Sequence, residues 1–113
     1  MDHNTLYNVE DDGNITLIRF LTHNVGDLPA EEIYQIAESN STNPVLIDFS
    51  GVVLIRSASL AILVTLQRKL NSHGRKLAFY GLDYSLRSLL TMTMLHRVFT
   101  LCDTKEEAIK SVS

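Results

Sequence analysis

The stretch NPVLIDFSGVVLIRSASLAILVTLQRKLNSHGRKLAFYG, residues 43–81, decides the fold. Val45, Leu46, Ile47 and Phe49 are apolar, and only Asp48 interrupts them. A strand with one wet face would alternate, so this run fits a central strand covered on both faces of a parallel sheet. Leu60 to Leu66 and Leu70 then make a helix-length segment, with Ser57 or Ser59 before it and Gly74 at its close. Leu77 to Tyr80 is a second apolar strand. Strand, helix and strand make a βαβ unit, whose strands are parallel and whose crossover is right-handed.

The same grammar extends outward. Downstream, Tyr84 to Leu95 is expected to be a helix and Val98 to Cys102 a strand. Thr104 with Glu107 matches a capping box and opens a last helix through Ala108 and Val112. Upstream, Leu6 to Glu10 and Ile15 to Leu21 flank the turn-forming Asp11-Asp12-Gly13-Asn14, as in a hairpin. Ile33, Ile36 and Ala37 follow Pro29 at helical spacing, Pro29 being placed at an early helical position, and Asn43-Pro44 ends that helix. The prediction is an α/β fold: one domain over residues 1–113, a mixed sheet with a parallel core, and helices following the strands. Leu46, Ile47, Leu63, Leu66, Leu77 and Leu89 should be buried.

Composition sets further bounds. The 113 residues are 45% hydrophobic and 20% charged, with net charge -3. No apolar run approaches the roughly 18 residues that span a bilayer, and Met1 to Glu10 has no signal-peptide pattern. The expectation is a cytoplasmic protein without membrane insertion. Cys102 is the one cysteine, so no internal disulfide forms, and the Asn-x-Thr triplets at Asn14 and Asn40 carry no weight without export. The acidic balance argues against nucleic acid as partner. Charge is unevenly spread: Met1 to Asp48 holds one base against nine acids, Phe49 to Thr100 seven bases against Asp83. These charges either meet across the fold or leave an electropositive face for an acidic partner.

Chemistry-bearing patterns are few. His3, His23, His73 and His96 lack paired metal-ligand spacing, Cys102 has no activating neighbours in sequence, and the five glycines form no phosphate loop. No enzyme activity, metal or cofactor is expected. Leu60 to Val64 are five consecutive apolar residues; on a helix they cover every side, so either neighbours cover them or part of the turn is a docking patch. Serines at the start of that helix sit where free N–H groups and the helix dipole favour an anion.

Val45 to Val52, the Ile55-Arg56-Ser57-Ala58-Ser59-Leu60 junction, Gly74 to Leu77, Leu89-Leu90-Thr91 to Val98-Phe99 and the closing Thr104 to Ala108 together resemble a STAS domain of the anti-sigma-factor-antagonist type. The resemblance implies a regulatory protein-binding module in transcription. Its implied partner is a serine kinase of the GHKL type that is itself the anti-sigma factor, and its implied phosphorylation site is Ser57. Asp48, Arg56, Ser57, Ala58, Ser59 and Leu60 are the implied partner-binding residues. This sequence departs from the family loop: Arg56 stands where an acid is usual, Ala58 where a second hydroxyl is usual, and Ser59 where glycine is usual. Thr93-Met94-Leu95 likewise replaces threonine, glycine and leucine. These departures favour the alternative of a constitutive STAS scaffold or transporter-associated subunit that takes no phosphate.

Overall fold

The computed structural model describes residues 6–113; Met1 and His3 lie outside them. Strands β1 (Tyr7–Asp11) and β2 (Thr16–Phe20) form the expected antiparallel hairpin. Asp12 makes its turn: the carboxylate accepts the N–H groups of Asn14 and Ile15 at 2.8 and 2.9 Å. A two-residue strand β3 (Asn24–Val25) leads to helix α1 (Ala30–Glu38), then β4 (Val45–Asp48), a short β5 (Leu54–Ile55) and α2 (Ser57–Ser72). Strand β6 (Leu77–Tyr80), helix α3 (Tyr84–Met92), a 3-10 turn at Leu95–Arg97, β7 (Thr100–Cys102) and α4 (Lys105–Val112) complete the order.

The main sheet runs β1-β2-β4-β6-β7, with β2, β4, β6 and β7 parallel. Its central strand is β4, and all four of its residues are buried, as an apolar run between two covered faces requires. One face carries Ile18, Ile47 and Phe79 in register and packs with residues of α1, α2 and α3. All four phenylalanines form a chain of ring contacts on this side: Phe20 meets Phe49 edge-on, Phe49 and Phe79 are tilted and Phe79 stacks on Phe99, with successive centroids 5.1, 4.8 and 4.3 Å apart. The other face carries Leu17, Leu46 and Ala78 and packs against Ala108 and Val112 of α4. Thr104 caps α4 by accepting the Glu107 N–H at 3.2 Å, while the Glu107 carboxylate reaches the Asp103 N–H at 3.0 Å.

Several boundaries move, each for a local reason. Pro29 stands at the N-cap of α1, one position ahead of the helix. Helix α1 stops at Glu38, because Ser39 and Ser41 accept N–H groups of Ser41 and Asn43 and turn the chain before Pro44. Helix α3 stops at Met92 rather than Leu95: the Thr93 hydroxyl donates to the Leu89 carbonyl at 2.8 Å and Met94 turns left-handed at φ 64°. The N–H groups of Val98 and Phe99 both donate to Leu95, so these residues belong to a turn and the strand begins at Thr100. Leu46, Ile47, Leu63, Leu66 and Leu77 are buried. Leu89 is only half-buried, because α3 turns Leu86 and Leu90, four residues apart, to the core. The small parallel sheet of β3 and β5 is not visible in the sequence pattern, since two-residue strands are too short for periodicity.

Charges meet across the fold in part. Arg56 pairs with Asp27, Lys69 with Glu38, Arg19 with Glu10 and Asp48, and Arg87 with Asp103. Arg75 is buried and leaves the surface altogether: its Nε donates to the Asn43 carbonyl at 2.6 Å and Nη1 to the Ile36 carbonyl at 2.7 Å. It joins the last turn of α1 to the segments entering β4 and β6, and burial lowers its pKa.

Candidate functional site

The parallel strands β4 and β6 end at one edge of the sheet, where the connections to α2 and α3 leave. Asp48, the last residue of β4, anchors that edge. Its Oδ1 accepts the Ser50 N–H at 2.8 Å and its Oδ2 accepts from Arg19 Nε at 3.3 Å. Burial opposes ionisation of Asp48, but hydrogen bonds from the Ser50 hydroxyl and N–H, from Arg19 and from Tyr80 outweigh it and hold the carboxyl below its ordinary range. The Tyr80 hydroxyl is pushed up to about 12, first by burial and then by the adjacent Asp48 charge. Gly81 completes the anchor. At φ 79°, a Cβ there would lie 2.6 Å from Ser50 Oγ and 3.1 Å from its N, so only glycine lets the two loops close on each other.

From this anchor the chain passes Gly51, whose carbonyl lies 2.7 Å from His23 Nδ1, and forms β5 against β3. Val53 and Leu54 stand half-exposed on this loop. Helix α2 then begins one residue earlier than a serine cap would place it: Arg56 holds the N-cap position without a side-chain cap, and Ser57 is the first helical residue. The Arg56 carbonyl accepts the N–H groups of Ser59 and Leu60. Ser57 and Ala58 are exposed, and the Ser57 hydroxyl makes no hydrogen bond among the described residues. Beside it, exposed Arg56 pairs with Asp27 at 3.4 Å.

Ser59 has another use. It is wholly buried, and its hydroxyl donates to the Gly26 carbonyl at 2.7 Å and accepts the Leu28 N–H at 3.1 Å. The segment between β3 and α1 is thereby fastened to α2. Leu60 and Leu63 also enter the core, Ile62 and Val64 pack partly against it, and of the run Leu60 to Val64 only Ala61 is fully exposed. The structure therefore brings Arg56, Ser57 and Ala58 together at the surface. It places Asp48 beneath the same loop and turns the side chains of Ser59 and Leu60 inward. Ser50 lies in the turn that follows Asp48, where its place in the sequence puts it; Asp27, Tyr80 and Gly81 were missed, and the glycine directly after an apolar strand is the one signal in the sequence that marks them.

The α/β layer is thus a platform that displays a helix-start loop at the carboxyl edge of its sheet. The platform is of a known kind: residues 8–108 match the STAS domain model, and the chain belongs to that family. It is similar to an anti-sigma-factor antagonist STAS protein from Planctomyces limnophilus, with TM-score 0.78 and 19% identity over 95% of this chain and 97% of the other. The anti-sigma factor antagonist SpoIIAA in its unphosphorylated form matches with TM-score 0.73 and 18% identity, over 94% and 95% of the two chains. A murine anion transporter, Solute Carrier 26 family member A9, matches with TM-score 0.70 and 12% identity over 91% of this chain but 18% of its own length.

Proposed function

We propose that this STAS domain is a regulatory module of the anti-sigma-factor-antagonist type, which binds a serine kinase of the GHKL type through the loop between β4 and α2 and is switched by phosphorylation of Ser57. The observation that carries this reading is the Ser57 hydroxyl itself, exposed and, among the described residues, without a hydrogen bond at the first residue of α2. A phosphate there would meet the free N–H groups of the helix start and the Arg56 guanidinium. It would add a charge of about -1.5 to -2 at the docking edge, enough to disrupt one desolvated contact or create another. The same reading implies a cytoplasmic site of action and one working domain over residues 1–113.

The second reading is a constitutive scaffold or transporter-associated subunit. It is favoured by the ion pair that occupies Arg56 and by the commitment of Ser59 to internal packing. The deciding experiment recovers the protein with its partners from its native host and measures its intact mass. A phosphorylated fraction, lost in Ser57→Ala, together with a co-purifying kinase, supports the switch. Unmodified protein held tightly by membrane transporter subunits supports the scaffold.

A further inference from the structure

The segment 91–98, which ends α3 and forms the 3-10 turn, is exposed at every position but Leu95. Met92 is 81% and Met94 51% exposed, and Val98 joins them at the surface. Met94 is, among the described residues, the one non-glycine with positive φ. A backbone shape that disfavours a side chain is thus held with a large apolar side chain projecting from it. Gln67 Nε2 donates to the Val98 carbonyl at 2.8 Å, which sets the middle of α2 beside this turn. The neighbours of those two residues are exposed Arg68 and exposed Arg97. Among the described residues neither has a carboxylate partner, whereas Arg19, Arg56, Lys69 and Arg87 all do. From Ser57 through Leu101 the only acid is Asp83, whose side chain is bonded to the Leu86 N–H.

We propose that Met92, Met94 and Val98, with Arg68 and Arg97, form a docking surface for an acidic, amphipathic segment of a partner protein. The segment's apolar stripe would cover the two methionines and the valine, and its carboxylates would engage the two uncompensated guanidinium groups. Methionine suits such a surface because its flexible thioether adapts to the covering side chain. In a second copy Asp27, Glu38, Asp48 and Asp103 are paired within the fold and Glu32 accepts from Tyr7, which leaves exposed Glu31 and Glu106 among the acids it could offer, on two separate helices rather than along one amphipathic segment. The surface is also separate from the switch serine: Arg68 lies eleven residues beyond Ser57 on α2, about 16 Å along the helix axis. The proposal therefore stands whether or not Ser57 is modified.

The test uses the full chain labelled at its methionine methyl groups; the three signals are assigned through Met92→Leu and Met94→Leu. The probe is a synthetic helical peptide with leucines at i, i+3, i+4 and i+7 flanked by glutamates, and the comparison peptide carries lysines instead. The glutamate peptide should shift the Met92 and Met94 signals saturably, and the lysine peptide should not. Arg68→Glu with Arg97→Glu should weaken binding at least tenfold. Met94→Gly relieves the left-handed backbone while removing the side chain, so it should raise the thermal midpoint and lower affinity together, a combination that loss of folding does not produce. Unmoved methionine signals, or equal binding of both peptides, would overturn the proposal. Signals that move with protein concentration alone would assign the surface to a second copy. Shifts with anionic vesicles or duplex DNA, absent with the glutamate peptide, would likewise overturn it.

Discussion

Replacing Ser59 by alanine removes one oxygen from a position with no solvent exposure, and the consequence can be worked from its two hydrogen bonds. Each intramolecular hydrogen bond contributes about 1 kcal/mol net, and a buried donor or acceptor left without a partner costs about 1 to 3 kcal/mol. Ser59→Ala strands the N–H of buried Leu28 and the carbonyl of half-buried Gly26; partial access of water to Gly26 brings the expected loss to about 2 to 3 kcal/mol. That is a large share of the roughly 5 to 15 kcal/mol that holds a small domain together. At about 4 °C per kcal/mol for a domain of this size, the thermal midpoint should fall by about 8 to 12 °C. Ser57→Ala, which removes an exposed hydroxyl with no partner among the described residues, should stay within about 0.5 kcal/mol of wild type. Urea denaturation followed by circular dichroism measures both variants. Equal stability of Ser59→Ala and wild type would refute the role given to Ser59 as the fastener between α2 and the segment before α1.

Gly81→Ala should destabilise by about 2 to 4 kcal/mol, combining left-handed backbone strain with the clash against Ser50; an unchanged urea midpoint would show that the two loops do not close as described. Tyr80 has its pKa raised to about 12 in the fold, so it stabilises fully below its ordinary value near 10, and that contribution disappears as pH rises to about 12. Tyr80→Phe should flatten stability across that alkaline window, which denaturation at successive pH values measures. Asp48 has the opposite sign: its lowered pKa favours the fold above the ordinary carboxylate range and is lost as pH falls through the folded value. Asp48→Asn should therefore reduce the acid dependence of stability; an acid limb identical to wild type would remove Asp48 from that role. Association of the chain with the glutamate peptide should slow as salt is raised, because exposed charges are screened beyond about 8 to 10 Å at ordinary ionic strength, and stopped-flow measurement at two salt concentrations checks it.

The alternation of apolar runs with helix-length segments determined the architecture by itself. Val45 to Phe49 and Leu77 to Tyr80 lack polar alternation because both faces are covered, and that demand is written in composition. The Thr104 cap and the Asp12 turn were legible for a similar reason, since each side chain bonds backbone two or three residues away. Between Ser57 and Ser59 spacing made no choice; only the resemblance to the family loop implied Ser57. Only the tertiary structure decided what the neighbouring residues do. Ser59 bonds to residues more than thirty positions away, Arg75 to carbonyls equally remote, and Gly81 is required by Ser50 across the sheet edge. Arg56 and Arg68 look alike as loop or helix arginines in sequence, yet one meets Asp27 and the other, among the described residues, meets no acid. Such roles depend on what the fold brings within a few ångströms, and separation along the chain carries no record of it.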